Sequence, residues 1–433
     1  MTTGVLILII SFLILLLMGV PIAYALGISA TLTVLVSLSP LAAVTTVAQA
    51  VANSLDSFTL LAIPFFVLAG QLMNKGGIAL RLIDFAKVLV GRLPGGLAFV
   101  NIMANMLFGA ISGSAVASAS AIGSIMHPRM TKEGYDERFS ASVNITSATT
   151  GLIIPPSNIL IVYSLASGGV SIAALFIAGY MPGILTGLLL MGVAAAVAYR
   201  KNYPLAEKVR FREAMRIFFR AIPSLFLLIV VIGGIIAGIF TATEASAIAV
   251  LYAAILAFIY KEITVKELPE VLLKTITTSS IVLFLVGTSM ALSWVMAYED
   301  IPQTVSAGLL SLSDNPIIIL LLINIILLVV GTFMDMTPAV LIFTPIFLPV
   351  VTQQLGLDPI HFGIILILNL SVGICTPPVG TLLFVGCSVA RLNIEDVIKP
   401  MIPFFVAMIV GLLLITYIPE LSLWLPKLFG FID

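Results

Sequence analysis

The residues with most chemical scope are one carboxylate and two proline pairs, all set in apolar sequence. Asp335 stands in Phe-Met-Asp-Met-Thr-Pro, inside the largely apolar stretch 316–351. A carboxylate at the centre of a membrane helix costs about 2.5–3.5 kcal/mol on insertion scales, so its retention points to use. Pro155-Pro156 interrupts GLIIPPSN at Gly151, and Pro377-Pro378 interrupts GICTPPVG at Gly373. Proline removes an N–H donor and frees the carbonyls of the preceding turn. Freed carbonyls beside hydroxyls are hard oxygen ligands suited to a sodium ion, whereas a helix start offers amides and a positive dipole end to a carboxylate. The chemistry these residues predict is ion and acid binding.

The expected sodium ligands are Gly109, Ser112, Gly151, Pro155, Gly331, Asp335, Gly373 and Thr376. The expected contacts to an organic acid are Ser112, Ser114, Ser157, Asn158, Asp335 and Thr337. Asp335 could instead cap its helix, and small hydroxyl residues also pack membrane helices closely. Glu244, in Thr-Ala-Thr-Glu-Ala, is expected to be a structural helix-start carboxylate with Thr241 or Thr243 as its cap. Arg129 is expected to anchor a helix end at the membrane surface, while His127 and His361 fit no metal-ligand spacing. A membrane-embedded enzyme would need a His-Glu-x-x-His pair, paired intramembrane aspartates or clustered aspartates, and the sequence has none of these.

What could hold such residues at depth? The chain has 433 residues, 61% hydrophobic and only 9% charged, with 20 basic and 20 acidic side chains. Soluble domains carry about 25% charged residues, so most of this surface must face lipid. Zero net charge gives no reason to expect a nucleic-acid partner. The two cysteines cannot build a disulfide framework. About twenty apolar residues cross a bilayer, so residues 5–38 predict two helices with turn points at Gly19, Pro21 and Gly27. No basic residue precedes this run, which reads as a retained span and not as a signal peptide. Residues 48–58 are more polar and are expected along the interface. Ten to twelve passages are expected in all, with short linkers and no soluble domain. The run 200–220 carries seven Lys or Arg against two Glu, which predicts a cytoplasmic loop.

The chain also repeats itself. At a shift of 222 positions, Gly109 meets Gly331, Gly134 meets Gly356, Asp136 meets Asp358, Gly151 meets Gly373, and one double proline meets the other. These are backbone-controlling residues in one register, the mark of a structural repeat. Each repeat has an over-long apolar stretch with a small or polar interruption, then a helix broken by the proline pair. The first part predicts a re-entrant hairpin with its tip at Gly109–Ser114 or Gly331–Pro338. Breaks at mid-depth survive only where protein or a water-filled cavity satisfies the backbone. The repeats are not identical. Ile154 stands where Thr376 does, and Ser157-Asn158 stands where Val379-Gly380 does, so the first repeat is expected to give more polar contact to a substrate.

At these residues the chain resembles the large membrane subunit of tripartite ATP-independent periplasmic (TRAP) transporters, over essentially its whole length. The most specific stretches are MLFGAISGSAVASASAIGSIMHPRM from Met106, ATTGLIIPPSNILIVYS from Ala148, GIFTATEASAIAVLYA from Gly238 and GTFMDMTPAVLIFTPIFLPV from Gly331. The run PPSNILIVYSLASGG from Pro155 is similar to the sialic acid members. The resemblance implies an all-α polytopic membrane protein with two inverted repeats and an elevator motion, similar in fold to divalent-anion/sodium symporters. It implies sodium-coupled import of an organic acid: sialic acid, another sugar acid or a dicarboxylate. A stand-alone anion/sodium symporter is the alternative. Implied partners are Na+ (two or more ions), a soluble periplasmic substrate-binding protein and a separate small four-helix membrane subunit, in a bacterial inner membrane. The implied division is scaffold 1–92, first transport repeat 93–198, basic loop 199–221, second scaffold 222–314, second transport repeat 315–425 and tail 426–433.

Overall fold

The computed structural model describes residues 3–75, 77–93, 95–204 and 210–432, and its regular elements are all helical. In the bilayer interior a helix satisfies its own backbone groups, which is why so apolar a chain resolves into helices. The first five helices are α1 (Thr3–Leu17), α2 (Ile22–Ser37), α3 (Pro40–Leu55), α4 (Ala62–Lys75) and α5 (Ile78–Val90). The first repeat supplies α6 (Gly96–Ser112), α7 (Ala115–Lys132), α8 (Glu137–Ala148), α9 (Asn158–Ala166) and α10 (Ile172–Lys201). Then come α11 (Phe211–Ile236), α12 (Ala242–Ile259), α13 (Leu268–Tyr298) and α14 (Ile301–Leu312). The chain closes with α15 (Pro316–Phe333), α16 (Met336–Pro349), α17 (Pro359–Gly373), α18 (Thr381–Ala390), α19 (Ile394–Tyr417) and α20 (Glu420–Leu428).

The expected turn between the first two helices falls at Gly19, which takes the left-handed φ of 77°, while Gly27 continues inside α2. Among the described residues, eight helices are long and apolar enough to cross a membrane by themselves, against ten to twelve expected passages. Turns and breaks cut much of the remaining apolar chain into helices of 10–17 residues. Another difference concerns the basic run. Residues 211–220 open α11 and are helical, so the connection is shorter than 199–221; residues 205–209 of that expected loop lie outside the described residues. The boundary expected at 425 falls inside α20.

The register of 222 extends to whole elements. α8 begins at Glu137 and α17 at Pro359; α10 begins at Ile172 and α19 at Ile394. Asp136 Oδ1 caps α8 by accepting from Phe139 N at 3.0 Å, and Asp358 Oδ1 caps α17 by accepting from Ile360 N at 2.7 Å. The glycine pairs explain why the helices can meet. A Cβ on Gly109 would strike the Cα of Gly151. One on Gly373 would lie 2.6 Å from the Cα of Gly331. Each hairpin's first arm therefore touches its own broken helix backbone to backbone, at matching positions. Helix α4 lies along α12 and against α13, and α2 also packs on α13. Large apolar side chains such as Leu17, Ile229 and Leu251 are exposed on the outside, as lipid-facing residues are.

Gly109→Ala and Gly373→Ala are expected to lower thermal stability by roughly 1–3 kcal/mol, because backbone cannot retreat as a side chain can. Gly192→Ala, with nothing within 4 Å of its added carbon, is expected to hold or raise it. Thermal melting of the purified variants in detergent checks this, and equal melting of all three would contradict the close-packing account.

Candidate functional site

The first tip is a two-residue turn, Gly113 and Ser114, between α6 and α7. Gly113 takes a φ of 61°, its N–H donates to Gly109 O at 2.8 Å, and Ser114 becomes the N-cap of α7 by accepting from Ala117 N at 3.3 Å. Only a residue without Cβ sits comfortably in that left-handed region. A Cβ on Gly113 would also come within 3.2 Å of Asn158 Nδ2, so the tip rests on the first residue of α9. The second tip is extended at Met334 and Asp335, and Asp335 occupies the N-cap position of α16 without making a side-chain capping bond. Its Oδ1 accepts instead from Thr381 Oγ1 at 3.4 Å, across to the first residue of α18. The capping alternative for Asp335 is thus not what the structure adopts.

Both helix breaks are present. Between α8 and α9 the chain passes a 3-10 turn, Thr149–Leu152, then Pro155 and Pro156; between α17 and α18 it passes Pro377 and Pro378. Both proline pairs contain a cis peptide bond. Backbone donors bridge the second break: Gly380 N reaches Thr332 O at 3.0 Å, and Leu382 N reaches Ile374 O at 3.0 Å.

The tips and breaks meet at a cavity of about 260 Å³. Ser112, Ser114, Asn158, Asp335 and Thr337 all line it, which gathers five of the six expected acid-binding residues from both repeats. Ser157 does not reach it: the side chain is buried and its hydroxyl donates to Leu152 O at 2.6 Å. Of the expected sodium ligands, Ser112 and Asp335 line the cavity. Gly109, Gly151, Gly331 and Gly373 form the backbone contacts behind it, and Pro155 lies away, its carbonyl 3.5 Å from Tyr180 Oη. Thr376 donates its hydroxyl to Val372 O at 2.7 Å, and a Cβ on Gly380 would come within 2.9 Å of the carbonyl oxygens of Thr376 and Ile374.

Four helices start at this one cavity, since its lining includes Ala115 of α7, Asn158 of α9, Met336 of α16 and Thr381 of α18. Each start carries amides outside its own helical ladder and about half a positive charge, although Ala117 N is taken by Ser114 Oγ and Leu382 N by Ile374 O. Among the described lining residues there is one carboxylate, Asp335, and no Lys, Arg or His. Asn158 Oδ1 is buried without a partner, an acceptor left available to a cation or a donor. The site can therefore hold an anion on amides and a small cation on oxygen atoms, without any fixed cationic side chain.

The part of the wall contributed by α4 and α13 was not visible from the repeat. Gln71 and Asn74 of α4 and Thr278 of α13 line it, and Gly70 lies so close that a Cβ would come 3.1 Å from Ser112 O. The available signal was a polar pair spaced i, i+3 within an apolar helix. Behind the first hairpin a buried polar cluster ties its arms to the broken helix. Asn105 Nδ2 donates to Asn101 Oδ1 at 2.8 Å, Asn144 Oδ1 at 3.2 Å and Ser147 Oγ at 2.8 Å, and Asn105 Oδ1 accepts from Ser118 Oγ at 2.7 Å.

Elsewhere, Glu244 behaves as expected: its carboxylate accepts from Thr241 N at 2.8 Å while Thr241 Oγ1 accepts from Glu244 N at 3.2 Å. Arg129, in the last turn of α7, faces Glu133, the helix's C-cap residue, at 3.9 Å. His127 and His361 are buried against Ser140 and Ser422.

Among the described residues, eight helices are long and apolar enough to cross a membrane, and the regular structure is helical, which indicates a multi-pass membrane protein. The family model of the tripartite ATP-independent periplasmic transporter, DctM component, matches residues 9–421, and the chain belongs to that family. It is 58% identical to the uncharacterized protein YgiK of Salmonella typhimurium, over 97% of this chain and 96% of that one. It is 40% identical to the C4-dicarboxylate TRAP transporter large permease protein DctM of Pseudomonas aeruginosa, over 94% of each. Among solved structures it shares its fold with the YdaH transporter of Alcanivorax borkumensis, with a TM-score of 0.62 at 15% identity, covering 92% of this chain and 90% of that one. The chain is a transporter permease and not an enzyme.

Asn105→Ala strands several buried polar groups and is expected to cost about 1–3 kcal/mol of stability. Reduced thermal melting with retained membrane insertion is the expected result; melting equal to the parent would show that the cluster does not hold the hairpin.

Proposed function

We propose that this chain is the sodium-driven permease of an organic-acid uptake system in a bacterial inner membrane. Relatives named for C4-dicarboxylates, 2,3-diketo-L-gulonate and sialic acid all match at 37–40% identity, which supports an organic acid without singling one out. The substrate carboxylate lies on the amides at the starts of α7 and α9. Sodium ions, two or more, are held by the oxygen atoms of the tips and breaks, with Asp335 balancing their charge. The observation that carries this reading is the meeting of four helix starts and one carboxylate in a single cavity.

In this reading the two repeats are inverted, their hairpins re-enter the membrane, and with the broken helices they slide as a body against α4, α12 and α13. Gly70, which lets α4 touch the backbone of the first tip, is the contact along which that sliding begins. A soluble periplasmic protein delivers the acid. A separate small four-helix subunit completes the scaffold, although one relative, an isethionate permease named DctMQ, matches over only 65% of its own length. The basic residues that open α11 set that end of the molecule in the cytoplasm. Each net positive charge carried inward gains about 2.3 kcal/mol per 100 mV, so two sodium ions with one monoanion draw on the membrane potential.

Asp335→Asn is expected to reduce sodium-dependent uptake at least about tenfold, the loss of one charge-assisted interaction. Proteoliposomes holding the permease and its small subunit, supplied with the binding protein and labelled acid, provide the measurement. Unchanged uptake and sodium dependence would remove Asp335 from the ion site.

A further inference from the structure

Away from the tips, a second recess opens where α5 packs on α11. Its charged lining is Arg81 and Asp84 of α5, Arg220 of α11, and Glu262 just beyond α12. Two of these four charges are already engaged with each other. Arg81 pairs with Glu262 at 3.6 Å and lies over the Tyr260 ring at 3.5 Å, and a Cβ on Gly77 would meet the same carboxylate. Asp84 and Arg220 are exposed and form no ion pair among the described residues. The recess therefore offers one cation and one anion together.

Both helices set it at the depth of lipid headgroups. Helix α5 has 13 residues, about 20 Å of helix, too short to cross roughly 30 Å of hydrocarbon. Arg81, Asp84 and Lys87 recur along one side of it, while Leu82, Ile83, Phe85, Ala86 and Val90 are buried, the pattern of a helix lying in the interface. Helix α11 enters with Arg212, Arg216 and Arg220 one turn apart and then becomes an apolar span. Exposed Leu80, Phe218 and Phe219 flank the recess, with Phe218 against Phe85 at 6.0 Å between ring centres. Apolar surface thus borders the charge pair on the lipid side.

We propose that this recess is a headgroup site for a phospholipid with a primary amine, a phosphatidylethanolamine. The Arg220 guanidinium takes the phosphate, the Asp84 carboxylate accepts from the ammonium, and Leu80, Phe218 and Phe219 lie along the acyl chains. The recess of about 200 Å³ holds the volume of roughly seven water molecules, the size of a phosphoethanolamine group. Arg212 and Arg216 attract any lipid phosphate, so Asp84 is the group that discriminates. A choline headgroup has no N–H to give it, and a glycerol headgroup has no positive charge. The bound lipid clips α5, which leads into the first hairpin, onto α11. This site is separate from the tip cavity and does not depend on what that cavity carries.

The test is lipid titration of delipidated, full-length permease in detergent. Phosphatidylethanolamine, phosphatidylcholine and phosphatidylglycerol with identical acyl chains are compared by melting temperature and by lipid adducts in native mass spectrometry. Phosphatidylethanolamine is expected to raise the melting temperature at the lowest concentration of the three. Arg220→Gln is expected to weaken half-saturation by phosphatidylethanolamine roughly three- to tenfold. Asp84→Ala is expected to remove the preference for ethanolamine over choline. Comparing two lipids within one variant separates headgroup recognition from any change in folding. Equal response to ethanolamine and choline lipids in the parent, or a preference that survives Asp84→Ala, would overturn the inference. Phosphatidylglycerol acting at the lowest concentration would show a general basic surface and overturn it too. If the co-purified small subunit abolishes the ethanolamine response, the recess is a protein interface and the lipid site falls.

Discussion

A peptide group inside a bilayer must find a hydrogen-bond partner, and leaving one unpaired costs several kcal/mol. Most of this chain meets that demand with helix. At four places it does not: two hairpin tips and two proline-broken helices. Collected around one cavity, the loose ends are the donors and acceptors that we propose for the ion and the acid. The rest of the architecture serves to bring those four places together and keep lipid away from them.

Glycine and buried amide side chains do that work at close range. The contacts Gly109–Gly151 and Gly331–Gly373 place each hairpin arm directly on the backbone of its broken helix. Asn105 reinforces the first of these units, and Asn369 Nδ2, donating to Asn324 Oδ1 at 2.7 Å, reinforces the second. At the shift of 222, Ser147 of the first cluster meets Asn369 of the second, whereas Asn105 meets Leu327 and Asn324 meets Ile102, so the clusters repeat only in part.

Backbone-controlling residues were the legible part of the sequence. Glycine and proline dictate geometry locally, so a match of those types across 222 positions already predicted the tips and the breaks, while the capping of α8 and α17 by the matched Asp136 and Asp358 came with the structure. Asp335, Asn158, Ser114 and Thr337 followed because they flank those signals. Gln71, Asn74 and Thr278 did not, because a scaffold helix meets the site through tertiary packing that no local pattern records. Ser157 misled for a related reason: its neighbours sit in the site, but its hydroxyl turns back to Leu152 O. Hydropathy also does not show where an apolar run is cut into short helices, as happens in Gly96–Ser112, Pro359–Gly373 and Thr381–Ala390.

The account stands or falls on whether the tips of both hairpins face water within the membrane at one shared site. Single cysteines at Ser114 and Thr337, in a background with Cys375→Ser and Cys387→Ser, report this through labelling by a charged, membrane-impermeant thiol reagent in inverted membrane vesicles. Both positions are predicted to react, and sodium together with the transported acid is predicted to protect both. Absence of reaction at both, under conditions where an exposed cysteine such as one at Tyr199 labels fully, would place the tips in protein or lipid and contradict the shared cavity.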